Sequence, residues 1–157
     1  MKIENNVLDK VEVSDIHNGT IIIPTNVNTI GTNAFGGEYG RLSNLTHLII
    51  PQNISLISSS AFANCKNLKE IKIENENCEL ESETFWNCGL TRIELPKKLR
   101  EIMEPTFCFL PELKELFIPN TVSHISLDYF FNTENLEKIF WKGKAYTYTD
   151  LKEYKIF

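Results

Sequence analysis

Four cysteines, three histidines and one glycine-rich segment are the residue types here that nucleophilic, metal or phosphate chemistry would need. Cys65 and Cys88 lie 23 residues apart in like surroundings, Asn64-Cys65 and Asn87-Cys88. Cys108 follows a phenylalanine, and Cys78 falls in the irregular stretch Glu74 to Glu79. No CxxC occurs and no histidine stands at ligand spacing from any thiol, so a zinc or redox centre has no framework. His17, His47 and His124 are scattered along the chain and do not converge, which leaves no base beside a Cys or Ser nucleophile. The cysteines are therefore predicted to be small, buried and reduced, with no cofactor, no metal and no enzymatic activity. The segment Gly36-Gly37-Glu38-Tyr39-Gly40-Arg41-Leu42 has the glycines of a phosphate cradle. No Gly-Lys-Ser/Thr follows it and no strand-to-helix switch frames it, so it reads as a surface loop.

What positions these residues is a repeat. Phe35, Phe62, Phe85, Phe107 and Phe130 recur at steps of 27, 23, 22 and 23. A closing leucine follows each at Leu45, Leu68, Leu90, Leu113 and Leu136, and eleven residues before each ring comes Pro24, Pro51, Glu74, Pro96 or Pro119. Three columns in one register identify a repeat array. Within a unit the first part alternates as a half-buried strand: Leu113, Leu116 and Ile118 point inward while Lys114, Glu115 and Phe117 face out. The proline removes a ladder donor and ends the strand. An apolar pair such as Val122 and Ile125 then crosses the back, and a short helical turn drops the phenylalanine inside. One such coil cannot bury its apolar side alone, so coils must stack, with strands about 4.8 Å apart in a parallel sheet of six. Unit three is imperfect, with Glu74 for Pro and Asn77 for Val, and a local bulge is expected there.

The Ile-Pro step, the later apolar pair and the Ala-Phe-x-Asn-Cys turn within Ile50 to Cys65 resemble the BspA-like, or Treponema-type, leucine-rich repeats, over about Gly19 to Trp141. The resemblance implies an α/β repeat solenoid: a right-handed leucine-rich-repeat coil with a parallel sheet on one face, short back strands and short helical turns, capped at both ends. It also implies a role in binding host or partner proteins, as in bacterial and protist surface proteins of that family.

The whole chain, 1–157, reads as one domain: an N-terminal cap at 1–18, repeats at 19–141 and a C-terminal cap at 142–157. Asn18-Gly19 is a turn signal that would fold Val11–Val13 back on Thr20–Ile23 as a hairpin. Lys144 to Tyr148 would pair antiparallel with the last strand, and Thr149-Asp150 would cap a helix through Tyr154. Tyr146, Tyr148, Leu151, Tyr154 and Phe157 would then cover Trp141. The net charge of −5, with 16 basic and 21 acidic residues interspersed, argues against nucleic acid. No apolar run is long enough for membrane insertion. The start Met1-Lys2-Ile3-Glu4 leads into no apolar signal region, which predicts a cytoplasmic protein, or a secreted or surface one whose signal has been removed.

The outward positions of the sheet are where function is expected. One column reads Thr20, His47, Glu70, Arg92, Glu115, Lys138, and its alternating signs predict ion pairs from strand to strand, each contributing about 0.2–1 kcal/mol. The next reads Ile22, Ile49, Lys72, Glu94, Phe117, Phe140. Phe117 and Phe140 would stand side by side where the repeat does not require them, and exposed rings anchor interfaces. The expected function is a non-catalytic protein-binding module, monomeric or weakly self-associating, that takes another protein on its open, concave sheet. Its candidate contacts are Ile22, His47, Ile49, Lys72, Arg92, Glu94, Glu115, Phe117, Lys138 and Phe140. The alternatives are sugar binding by the aromatic patch and a self-associating structural domain.

Overall fold

A computed structural model describes residues 1–37 and 41–154. In chain order the strands are β1 (Lys2–Glu4), β2 (Val7–Lys10), β3 (Thr29–Ile30), β4 (His47–Ile50), β5 (Leu56–Ile57), β6 (Glu70–Ile73), β7 (Glu79–Leu80), β8 (Arg92–Glu94), β9 (Glu115–Phe117), β10 (Lys138–Trp141) and β11 (Lys144–Tyr146). A helix, α1, spans Tyr148–Tyr154, and 3₁₀ turns occupy Val13–Asp15 and Leu127–Phe130. The result is a β-solenoid of about six turns with parallel ladders on two faces.

Periodicity explains each face. On the front, β4 pairs with β6, and β8, β9 and β10 pair in sequence, in the register the columns predict: His47 opposite Glu70, Arg92 opposite Glu115 opposite Lys138, and Glu94 opposite Phe117 opposite Phe140. On the back, β2, β3, β5 and β7 pair in parallel, and the apolar residues Val27, Ile30, Ile54, Ile57 and Leu80 are buried beneath them. Between the faces run the five phenylalanines, each at most 1% exposed. Phe62 lies 5.0 Å from Phe35 and 6.0 Å from Phe85, and Phe107 lies 5.8 Å from Phe130.

Three details differ from the sequence expectation. The front has five strands, not six, because Thr20–Ile23 forms no strand in it; the residue before that segment, Gly19, accepts through its carbonyl from Thr46 N and His47 N at 2.8 and 3.0 Å. The N-terminal hairpin is not Val11–Val13 against Thr20–Ile23. β1 and β2 form it around Asn5 and Asn6, both at positive φ, and only His17 and Thr20 bridge across Asn18-Gly19. Helix α1 begins earlier than predicted because Thr147 is the cap: its N–H and hydroxyl donate to Asp150 Oδ2 at 2.6 and 2.8 Å, and Asp150 N donates back to Thr147 Oγ1. Of the residues expected to cover Trp141, Leu151 is buried and Tyr146 and Tyr148 pack against the core. The side chains of Tyr154 and Phe157 lie outside the described residues.

The bulge expected at Glu74–Glu79 is not what forms, since β7 keeps register with β5 there; the irregularity lies further along the chain and is a seam. Both the front ladder and the phenylalanine row are interrupted between the third and fourth coils, and the back ladder ends at β7. The interval from Leu68 to Leu90 is one residue shorter than its neighbours: Asn64-Cys65-Lys66-Asn67-Leu68 becomes Asn87-Cys88-Gly89-Leu90. That turn delivers β8, and the chain there is about 3.3 Å short. Gly89 makes the tight path possible, since a Cβ on it would stand 1.8 Å from Lys66 O. Thr91 N to Lys69 O, at 3.3 Å, is what remains of the front ladder across the seam. Ile71 and Ile73 are consequently half-buried, whereas their counterparts Leu48, Ile50, Ile93, Leu116 and Ile139 are buried.

Candidate partner-binding face

The front sheet presents the predicted columns outward, but the seam divides them. On the first ladder Ile49 is 53% exposed, and Ile22, on the extended segment before it, is 85% exposed. His47 Nδ1 lies 2.8 Å from Thr46 Oγ1, and its Nε2 lies 3.9 Å from Glu70 Oε2. An open cleft of about 930 Å³, lined by Ile71, Ile73, Lys72 and Arg92 among others, separates this end from the rest.

On the second ladder Phe117 and Phe140 stack with centroids 4.3 Å apart and planes within 9°. Arg92 lays its guanidinium carbon 4.1 Å over the other face of Phe117. Parallel pairing in register puts the two rings about one strand spacing apart, so stacking is the packing their backbone dictates. The rings are half-buried rather than fully exposed. Arg92 also explains why the predicted strand-to-strand ion pairs do not form as a ladder. Its guanidinium serves Phe117 and pairs along its own strand with Glu94 at 3.4 Å, and Lys72 likewise pairs with Glu74 at 3.1 Å. Among the described residues, His47 with Glu70 is the front-column pair that crosses strands. Glu115 is half-buried and Lys138 exposed beside the stack.

A hollow of about 570 Å³ adjoins the stack and is lined by Glu94, Lys97, Asn120, Lys142 and Lys144 with both rings. The sequence columns do not contain these lysines. The turn at Lys142-Gly143 places Lys142 and Lys144 there, with Lys142 Nζ 4.1 Å over the Trp141 ring. Lys97 pairs with Glu76 at 2.9 Å, which lowers the Glu76 carboxyl pKa and raises that of the Lys97 amine. The rim is therefore mixed: Glu94 faces Lys144 across it, Lys97 is paired with Glu76, and Lys142 donates to Ser123 O at 3.1 Å.

The remaining candidates do not assemble into a site. All four cysteines are free and buried. Cys88 donates to Phe62 O at 2.8 Å and Cys65 to Phe35 O at 3.5 Å. Burial pushes the Cys78 thiol up to about 12 and the Cys88 thiol well above its ordinary value, so neither is a nucleophile near neutral pH. Among the described residues no group of His, Cys, Asp and Glu could hold a metal ion, and no helix is long and apolar enough to cross a membrane. In the glycine-rich loop, Arg41 donates to the carbonyls of Val11, Ala34 and Gly36 and so anchors the loop to the coil. Glu38, Tyr39 and Gly40 lie outside the described residues.

This geometry defines a class: a stacked-coil repeat protein whose open sheet carries a localised aromatic patch with a charged rim. The signature described as the BspA type leucine rich repeat region matches residues 38–150 in six copies. The chain belongs to that family. Its structure is similar to that of a Treponema pallidum leucine rich repeat protein, with TM-score 0.67 and 23% identity over 78% of this chain and 58% of the other. It is also similar to a leucine rich cell surface protein from Faecalibacterium prausnitzii, with TM-score 0.70 and 24% identity over 83% of this chain and 34% of the other. A leucine-rich repeat protein from Eubacterium ventriosum gives 0.66 and 25% over 82% and 34%. The chain thus spans from about a third to 58% of the length of these bacterial proteins. No curated protein matches it in sequence.

Proposed function

We propose that this domain is a non-catalytic module that binds another protein on the concave, open face of a right-handed coil, with 1–18 and 142–157 acting as caps. The observation that carries this reading is the stack of Arg92, Phe117 and Phe140 on the outward side of the sheet. The fold requires no aromatic at these positions: the same column holds Ile22, Ile49, Lys72 and Glu94 in the other coils. Aromatic and arginine side chains at the centre of a patch are the residue classes that dominate binding energy. The ring pair favours a partner segment that offers an apolar anchor, and Lys144 on the rim favours a carboxylate beside it. Leucine-rich-repeat modules commonly serve protein interaction, and the family membership supports the same role. A weaker second reading, self-association, draws on the exposed Ile22 and Ile49 at the other end, and light scattering across a concentration series separates the two. The setting is cytoplasmic or, as for the Faecalibacterium cell surface protein, the cell surface; protease shaving of intact cells distinguishes them.

The test is the double substitution Phe117→Ser with Phe140→Ser. Loss of a central anchor weakens binding by about 2 kcal/mol or more, so affinity for a partner recovered by cross-linking should fall at least thirty-fold, roughly. Loss of the ring pair should cost the fold only about 0.5–1.5 kcal/mol. A folded double variant that binds as tightly as the native protein would remove this face from consideration.

A further inference from the structure

A second aromatic row runs along the turn edge of the solenoid, away from the front sheet, and its middle member is in the wrong backbone conformation for its type. Each coil places the second residue after its core phenylalanine at positive φ: Gly37 at +108°, Asn64 at +66°, Asn87 at +57° and Asn132 at +55°. Glycine and asparagine are the residues that accept this left-handed region. In the fourth coil the position is Phe109, at +58°. A bulky side chain there is a true outlier, and such outliers cluster at ligand-binding and active sites. Phe109 does not reach the core: it is half-buried, its ring 4.4 Å from Trp86 and 5.5 Å from Phe131, and Phe131 is itself 60% exposed.

Beside Phe109 is a hollow of about 200 Å³, lined by Asn87, Phe109, Pro111, Asn132, Glu134 and Asn135. The amide of Asn87 donates one N–H to Asn64 Oδ1 at 2.6 Å, and that of Asn135 donates one to Pro111 O at 2.6 Å. Both side chains are thereby fixed while each keeps a second N–H. We propose that this hollow is a binding subsite for a neutral hexopyranose, whose C–H face stacks on Phe109 while its hydroxyls bond to the three amides and the Glu134 carboxylate. The chemistry selects this class. An aromatic face edged by amides and one carboxylate matches a ring with one apolar face and a hydroxyl rim. Glu134 is the one charged side chain in the lining, and the Lys66 ammonium that bonds to Asn87 Oδ1 offsets it, so the hollow carries no excess charge to select phosphate or an acidic sugar. Four polar residues among six, around a space the size of a single ring, do not suit the dry pocket an apolar peptide anchor needs.

The test titrates the native protein with methyl pyranosides of glucose, galactose, mannose and N-acetylglucosamine. Trp86 fluorescence is the readout, since Trp141 is buried with its indole N–H bonded to Val122 O. At least one sugar should bind with Kd of about 1–10 mM, the range of a single small contact surface. Phe109→Asn restores the residue the backbone prefers. It should abolish the response, with Kd raised at least tenfold, while leaving the melting temperature equal or higher. Glu134→Gln should weaken binding without changing the melting temperature. Silence across all four sugars, binding that survives Phe109→Asn, or a lowered melting temperature in that variant each overturns the proposal, the last because it makes the ring a structural one.

Discussion

Phe62 and Phe85 hold the same place in consecutive coils and both are fully buried, yet the seam makes them unequal. Phe62 has rings on both sides, Phe35 at 5.0 Å and Phe85 at 6.0 Å. Among the described residues Phe85 stacks on Phe62 only, while the next ring of the row, Phe107, pairs onward with Phe130 at 5.8 Å. Truncating a buried phenylalanine to alanine costs about 3–5 kcal/mol through lost transfer energy and the cavity left behind. An aromatic pair adds about 0.5–1.5 kcal/mol beyond burial. With about 4 kcal/mol for truncation and about 1 for each pair, Phe62→Ala loses two pairs and should cost about 6 kcal/mol, whereas Phe85→Ala loses one and should cost about 5 kcal/mol. A chain of this length has a total stability on the order of 8–24 kcal/mol, so both variants should still fold. Urea unfolding followed by circular dichroism measures both, with an unchanged slope as the check that one cooperative transition is being compared. The double variant should fall short of additivity by about 0.5–1.5 kcal/mol, the pair they share. A Phe85→Ala cost equal to or above that of Phe62→Ala, or either below about 1 kcal/mol, would refute the claim that the seam interrupts the core row.

Gly89→Ala should be severe for its size. The added Cβ would begin 1.8 Å from Lys66 O, and separating two packed backbones costs about 1–3 kcal/mol or more, readable as a fall in melting temperature. The four thiols should resist a thiol reagent in the native protein and yield four equivalents after denaturation without reductant; a count of two would show a disulfide. Because burial raises the Cys78 thiol to about 12, the folded state holds a proton that the unfolded chain releases near 8.5–9. The protein should therefore lose stability as pH rises from about 9 toward 12, and Cys78→Ala should flatten that part of the profile. Hydrogen exchange should find β8 less protected than β9, since β8 lacks a ladder on its β6 side; equal protection would mean the seam closes in solution.

Much of this molecule is local and therefore legible. A spacing of about 23 residues with alternating apolar positions can be satisfied only by stacked coils. For that reason the columns Arg92, Glu115, Lys138 and Glu94, Phe117, Phe140 could be read off with the register the ladders show. The absence of a CxxC and the spacing of the histidines were likewise local facts, and the cysteines lie buried as that pattern implies. The turn at Lys142-Gly143 was visible too, but not that it would swing Lys142 and Lys144 beside Phe140.

What the chain order could not supply was every choice between competing neighbours. Charges alternating along a column announce ion pairs, yet Arg92 has both a carboxylate and a ring within reach, and side-chain packing decided for Glu94 and Phe117. One residue missing before Leu90 is a small sequence event. Its effect appears only when coils are laid on one another, because a chain 3.3 Å short cannot keep front ladder, back ladder and ring row in step at once. Phe109 likewise looks like any apolar residue of a unit until the backbone shows it at +58°, since φ at that position is imposed by the turn every other coil makes there with Gly or Asn. The sequence by itself determined the repeat, its faces and its core. The tertiary structure decided where the stack breaks and which surface rings meet, because both depend on distances between coils that no single coil encodes.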